Sequence, residues 1–530
     1  MRSHPPWVAH SRPARGTAGP VERILDPDVV AGHLTDAARV PGGHSPAICF
    51  PESEAAVASI LRSGAPVLAI GAQSSLTGGA TPRGELLLST ARLATIGPFA
   101  PDHVVAAPGL VLADLAAELA RRGRWYPPLP TYDGATVGGT VATNAAGAAT
   151  FKYGATRAWV RALTVVLANG DALDLERGAV TASPDGHFEL VGVDGRRSRI
   201  DVPTYVMPAV TKLAAGYFAK PGMDLVDLFV GSEGTLGVVT SVTLGVIAPP
   251  AWLVGWAPCA DEGAALRLAA DLRLEVARLA AVEYLDGRSL TLVHEDGVAD
   301  RLRVPLPPRA SAAILFQVAL DAGMHPEDVA AALTEPEDHA ATASGLAALR
   351  RVLARHDVLA TTIPALPGED ARRAALFGLR EAVPLGVNRR VGAAQRTIDP
   401  SLAKSGGDVV VPVERLGELL ATTRAIFADL DLDHAIWGHL SDGNLHPNVL
   451  PRRPEDGARA AAAQRAIGEA AIALGGSPLS EHGVGRSPVK QALLRRLYGD
   501  EGIAAMRRVK AALDPRGVLA PGVIFPAGSV

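Results

Sequence analysis

The chain has 530 residues, 48% of them hydrophobic, so it exceeds one ordinary core and should divide into two or three domains. Its 51 Lys and Arg against 55 Asp and Glu leave a formal charge of −4, too weak a field to gather nucleic acid or an anionic membrane, which favours small-molecule chemistry. Two cysteines, Cys49 and Cys259, supply neither a disulfide framework nor a cysteine zinc site; the expected compartment is reducing cytoplasm, with peripheral membrane contact left open.

The opening MRSHPPWVAHSRPARGTAGP lacks the apolar stretch of about 7–15 residues that a secretory signal needs, and residues 1–20 are expected to be a disordered tail. No apolar run of about 18 residues occurs, so no transmembrane helix is expected. From residue 47 to 248, short apolar runs at Pro66–Ile70, Glu85–Ser89, His103–Ala107 and Val160–Leu167 predict strands. Apolar residues at three- and four-residue spacing predict helices at Ser53–Arg62 and Val111–Arg121. The pattern is α+β. Ala248-Pro249-Pro250 marks a boundary between a first domain, 21–248, and a second, 249–510. In the second, strands are predicted at Ala312–Leu320, Asp408–Val411 and His434–His439. Helices are predicted at Asp261–Leu279, Glu327–Leu333, Glu369–Leu379, Glu414–Leu430 and Pro454–Leu474, and loops at Pro305–Arg309 and Glu335–Ala343.

Three glycine-rich segments punctuate the first domain: GAQSSLTGGA (Gly71 to Ala80), GATVGGTVATNAAGAATFKYG (Gly134 to Gly154) and GSEGTLGVV (Gly231 to Val239). Loops of glycine, hydroxyl and amide residues can aim many N–H and O–H groups at a polyanion, and small residues let backbone approach a flat ring. Together they suggest one large, extended cofactor. Neither a Rossmann fingerprint nor a P-loop is present.

The densest chemistry in the second domain is WGHLSDGNLHPN, Trp437 to Asn448. If Asp442-Gly443 forms a two-residue hairpin turn, His439 faces His446 across the strands, and Asn448 projects beside His446. Two opposed imidazoles can bind one metal. A carboxylate would complete the site, and SEHGVG offers Glu481 followed by His482.

In order and spacing these segments resemble FAD-dependent oxidoreductases of the vanillyl-alcohol oxidase type, in the branch of D-lactate dehydrogenase, the glycolate oxidase flavin subunit and D-2-hydroxyglutarate dehydrogenase. The resemblance covers roughly residues 45 to 526. It implies a two-part FAD-binding domain, an α+β cap (substrate) domain with an antiparallel sheet, and a segment 511–530 returning to the FAD domain. It places the FAD pyrophosphate on Gly71–Gly79, with Ser74, Ser75 and Thr77 as donors. The implied cofactor set is Gly71, Ala72, Gln73, Ser74, Ser75, Thr77, Gly78, Gly79, Pro108, Gly109, Thr136, Gly138, Gly139, Thr143, Asn144, Gly147, Tyr153, Gly154, Glu233, Gly237 and Val238. The first loop lacks the His or Cys that some relatives link to flavin, so FAD is expected to be non-covalent, and His44 is read as a surface turn residue.

By the same resemblance His439, His446 and Glu481 are metal ligands and His482 the base, with Arg380, Lys404 and Asn448 on the substrate. Two imidazoles and a carboxylate suit Zn²⁺ or Mn²⁺. The implied reaction is oxidation of a small D-2-hydroxy acid of the lactate, glycolate or 2-hydroxyglutarate class, with a quinone, an electron-transfer protein or oxygen as acceptor. Whether the chain forms a homodimer stays open. Two other readings keep the flavin: oxidation of a phenolic or sugar alcohol or alkylglycerone-phosphate synthesis, neither needing the metal residues to converge, and a flavin-holding subunit of a larger respiratory complex.

Overall fold

The computed structural model describes residues 5–17, 19, 21–128, 130, 132–307, 310–321, 323–334 and 344–526; the expected loop at 335–343 and the last two residues of the loop at 305–309 lie outside these. In the first domain a parallel three-stranded sheet, ordered Ile48–Cys49, Leu86–Ser89, Val67–Ile70, is crossed by the helix Glu54–Arg62, whose N-cap Ser53 accepts a hydrogen bond from the Ala56 N–H. A six-stranded antiparallel sheet follows, ordered Arg12–Pro13, Asp171–Glu176, Val160–Val166, Val238–Gly245, His103–Ala106, Ile96–Phe99.

The N-terminal stretch is not a disordered tail over its described residues. Val8–His10 pairs in parallel with His187–Val191 and Arg12–Pro13 with Asp171–Glu176, while the Arg12 guanidinium bridges Glu54 and Asp174. A polar, Pro-rich composition hid a segment whose order comes from strand pairing and ion pairs with distant residues.

The second domain is built on a seven-stranded antiparallel sheet, ordered Ile363–Ala365, Ala251–Cys259, Ala312–Leu320, Leu279–Asp286, His434–His439, Asn444–Val449, Val409–Val410. Successive strand residues point to opposite faces. Thus Ala312, Ile314, Phe316, Val318 and Leu320 enter one core, under the helices Glu262–Glu275, Ser344–Arg355, Leu416–Asp429 and Asp456–Ala473, while Ala313 and Leu315 enter the other. That second core lies under Gly287–Glu295, Val298–Leu302 and the long helix Asp370–Thr397.

Two expected helices differ. The one predicted over Asp261–Leu279 stops at Glu275, and Leu279 opens a strand buried along its whole length. The one predicted over Glu369–Leu379 runs on to Thr397, because packing of Leu376, Leu379, Val383, Val387 and Val391 holds it through Gly378, Pro384 and Gly386. Pro384 has no N–H to give to the Arg380 carbonyl, so the helix loses one bond at the residue that faces the site.

The chain also returns to the first domain earlier than residue 511. Leu479, Val484, Leu494, Ile503, Met506, Val509 and Leu513 already belong to that domain's core, and Val518–Ala520 then lies beside Val67. Among the described residues no helix is long and apolar enough to cross a membrane.

Buried Lys510 fastens this return: its ammonium donates to the Thr235 and Leu519 carbonyls and to Asp514, itself 1% exposed. Lys510→Met leaves that carboxylate without its cation, and should lower the unfolding free energy measured in urea by about 3–5 kcal/mol. Unchanged stability would mean that the lysine carries no such load.

Candidate active site

The hairpin at the centre of the site does not have the two-residue turn expected of Asp442-Gly443. The loop runs from Leu440 to Gly443: Leu440–Asp442 winds into a 3-10 turn and Gly443 closes it at φ 76°, where a Cβ would lie 2.1 Å from the Val411 carbonyl oxygen. The register therefore pairs His439 with Asn444 and Trp437 with His446, not His439 with His446. The cause is Asp442. A two-residue turn would leave it in solvent, but it is 1% exposed, its carboxylate drawn inward to within 3.2 Å of the Lys212 ammonium. The register differs by two residues, and strands alternate faces with period two, so the two imidazoles still share a face, with ring centroids 5.3 Å apart.

On that face Glu481 Oε1 lies 3.0 Å from His446 Nε2, 3.5 Å from His439 Nε2 and 3.6 Å from His482 Nε2. Two atoms bonded to one ion at about 2.0–2.2 Å are about 3.0–3.5 Å apart, so this spacing fits a divalent metal. The buried His446 Nδ1 and Asn448 Oδ1 have no hydrogen-bond partner, as in a polar pocket shaped for a further group. Among the described residues, Asp408, His446, Glu481 and His482 have candidate ligand atoms all within 4.8 Å of one another. His439, which the sequence pointed to, is not in that set, although its Nε2 lies 3.5 Å from Glu481 Oε1.

Several side chains that orient the cluster went unnoticed in the sequence. Asp408 accepts the backbone N–H groups of Ser480, Glu481 and His482, and its carboxylate lies 3.8 Å from His446 Nδ1 and 3.6 Å from His482 Nδ1. Burial works to raise its pKa, but His482 and Lys490 outweigh it and hold Asp408 below the usual range. Glu283, in the strand opposite His439, accepts from His439 Nδ1 and from Arg380 Nε. Burial opposes its charge too, and these two cations bring it to about 2. Burial opposes charge on His439, but Glu283 outweighs it and raises its pKa; with the Nδ1 proton kept on Glu283, loss of the other proton would leave Nε2 as a lone-pair donor to a metal. Lys212 lies 2.9 Å from Glu481 Oε2. Burial lowers the pKa of His482 to about 3, against the pull of Asp408, so the ring stands neutral. A charged residue inside the apolar run LAAVEYLD was a usable signal for Glu283. Asp408, before VVVP, was a weaker one, and nothing in the local sequence marks Lys212.

Arg380 comes off the long helix to the same place, 4% exposed, with Nη2 3.5 Å from His439 Nε2. Lys404 stands at the domain junction, its backbone N–H on the Ala38 carbonyl; burial and nearby Arg39 lower its pKa to about 8. Asn448 is buried, gives its Nδ2–H to the His446 carbonyl and packs on Gly406.

The first and third glycine segments meet the loop that carries His482, and the second packs against the first. A Cβ on Gly485 would meet Thr77 Oγ1 at 2.1 Å, one on Gly79 would meet Gly485 Cα at 3.3 Å, and Arg486 N–H donates to the Thr77 carbonyl. From the third segment, Glu233 accepts the N–H groups of Val484 and Gly485, each at 2.8 Å, and burial raises its pKa to about 7. A Cβ on Gly71 would meet Thr136 Oγ1 at 2.3 Å, and Gly138 N–H reaches the Pro108 carbonyl. The result is close-packed backbone, with Ser75 and Thr77 hydroxyls 3.1 Å apart and Ser74 half-buried beside them.

Other residues of the expected cofactor set have structural duties. The Gln73 amide donates to the His33 and Ala80 carbonyls, and Asn144 ends the helix Val137–Thr143 at φ 50° with its side chain on Arg157 N–H and the Leu213 carbonyl. Thr136 caps that helix by accepting from Gly139, and Thr143 donates to the Gly139 carbonyl. Gly147 N–H meets Thr150, Tyr153 packs edge-on to Trp125, and Gly154 follows at φ 79°. Gly109 packs under the Thr90 carbonyl, Gly237 under Val165, and Val238 pairs with Val166. Ala72 is exposed and Gly78 buried. His44 is exposed in a turn with Gly84.

Comparison with known proteins agrees with this arrangement. Residues 45–176 match the FAD binding domain model and residues 249–524 the C-terminal domain model of FAD linked oxidases. The chain is 28% identical over 467 residues to the glycolate oxidase subunit GlcD of Bacillus subtilis, covering 87% of this chain and 84% of that protein. It is 29% identical over 496 residues to a D-2-hydroxyglutarate dehydrogenase of Xanthomonas citri pv. viticola, covering 90% and 89%. The solved structure of 4-ethylphenol oxidase from Gulosibacter chungangensis superposes with a TM-score of 0.64 at 16% identity, covering 96% of this chain and 94% of that one, a likeness of fold alone. The fold is thus the two-domain FAD-binding fold of the vanillyl-alcohol oxidase type, and the chain belongs to the family of FAD-linked oxidases.

Proposed function

We propose that this enzyme oxidises the alcohol carbon of a small D-2-hydroxy acid to the 2-oxo acid, with non-covalent FAD and a Zn²⁺ or Mn²⁺ ion held by His439, His446 and Glu481. The observation that carries the reading is the convergence of three imidazole Nε2 atoms on one oxygen of Glu481, at 3.0, 3.5 and 3.6 Å. Bound FAD supplies the two-electron acceptor, and the bound metal supplies Lewis acidity toward the substrate hydroxyl. The protein's part is to hold and deprotonate. His482 Nε2 takes the hydroxyl proton while Asp408, beside its Nδ1, keeps the ring oriented. Arg380, Lys404 and Asn448 are the groups that would bind the carboxylate end, the guanidinium by paired hydrogen bonds. The relatives named for glycolate and D-2-hydroxyglutarate support the substrate class.

The test is anaerobic. Purified flavin-loaded protein mixed with a panel of D- and L-2-hydroxy acids should lose its flavin absorbance with at least one D-acid, and chelation should suppress the loss. Bleaching by none of them in metal-replete protein removes the reading, and chelator-insensitive bleaching removes the metal.

Two further outcomes follow from the side chains. His482→Ala should slow flavin reduction by about 10²-fold or more while retaining flavin; an unchanged rate reassigns the base. Lys404 has a pKa lowered to about 8, so it is cationic below that pH and neutral above it. KM for the acid should therefore climb by up to about tenfold per pH unit above about 8 in the native enzyme and stay flat in Lys404→Met. The same rise in both would exclude Lys404 from the substrate.

A further inference from the structure

We propose that Lys212 is a positioning residue that fixes which oxygen of Glu481 faces the imidazoles, and thereby which divalent ions the site accepts; this rests on the metal-assisted reading above. Lys212 comes from the first domain, yet its side chain is wholly buried against the second domain's hairpin, 2.9 Å from Glu481 Oε2 and 3.2 Å from Asp442 Oδ2. Its backbone has little freedom. The next residue, Leu213, gives its carbonyl to the Asn144 side chain, and Ala214 N–H donates to the carbonyl of Leu479, two residues before Glu481. The ammonium is thus aimed from a pinned loop at one carboxylate oxygen.

With Oε2 engaged by Lys212, only Oε1 remains for the three Nε2 atoms, so Glu481 acts through a single oxygen. Asp442 backs the lysine from the other side; neither of its buried oxygens has a hydrogen-bond partner, and Lys212 is its cation. Stability alone does not account for this arrangement, because a buried ion pair returns little over apolar packing of the same volume. A single-oxygen carboxylate favours low coordination number, the habit of Zn²⁺. A carboxylate free to use both oxygens favours larger ions of higher coordination number.

The test measures metal binding without turnover. Zn²⁺ and Mn²⁺ affinities of flavin-loaded protein are determined by chelator competition, and the visible absorption of the Co²⁺-loaded form reports coordination number. Lys212→Met should shift the Mn²⁺-to-Zn²⁺ affinity ratio about tenfold toward Mn²⁺ and weaken the Co²⁺ bands. Lys212→Arg, which keeps a cation on Oε2, should stay near the native ratio. Should Lys212→Met not fold, Asp442→Asn, which loosens the lysine, should move both readouts the same way by less. An unchanged ratio and spectrum in the folded variants overturns the proposal, as does equal tightening of both ions, which would make Lys212 a charge and nothing more. Failure of the native protein to bind either ion would instead sink the metal reading itself.

Discussion

The structure around the site turns on burying charge. Glu283, Asp408, Asp442 and Glu481 are gathered with Arg380, Lys212 and Lys490 around three histidines, most of them out of water. A buried charge is costly unless it is paired and hydrogen-bonded. Each acid here is engaged by a cation, a backbone N–H or an imidazole, and what is left over is directed to one point, Glu481 Oε1. This is a physical reason, independent of any relative, for reading the cluster as a metal and acid site.

How much of this was legible in the sequence depended on how local the signal was. The strands Ala312–Leu320 and His434–His439 have the bounds their apolar runs predict, because their order is decided by neighbours along the chain. The long helix Asp370–Thr397 was half hidden, since Gly378, Pro384 and Gly386 argue locally against it and only packing on the sheet overrides them. The N-terminal strands were hidden altogether, their partners lying at residues 171–191.

The site divides in the same way. His439, His446, Glu481 and His482 stand in short polar motifs and were visible as chemistry. Glu283, Asp408 and Lys212, which orient them, are single charged residues in otherwise apolar or small-residue stretches, brought in from three other parts of the chain. The hairpin shows why motif reading can name the right residues through the wrong geometry. Asp442-Gly443 has the composition of a two-residue turn, but long-range attraction to Lys212 pulls the aspartate inward and lengthens the loop. Because the resulting register differs by an even number of residues, the histidines kept a common face; an odd difference would have sent one of them into the opposite core.

The loop 481–486 explains how two domains can serve one reaction. On one side its backbone is held by Asp408, on the second domain's sheet edge; on the other it is held by Glu233 and by Thr77, each within a glycine segment of the first domain. The residue read as base and the residues read as pyrophosphate donors are therefore only a few residues apart through a doubly anchored backbone. Displacing either domain relative to the other would strip hydrogen bonds from this loop before disturbing either core. The relative position of the glycine segments and the histidine–carboxylate cluster is thus set by the loop itself.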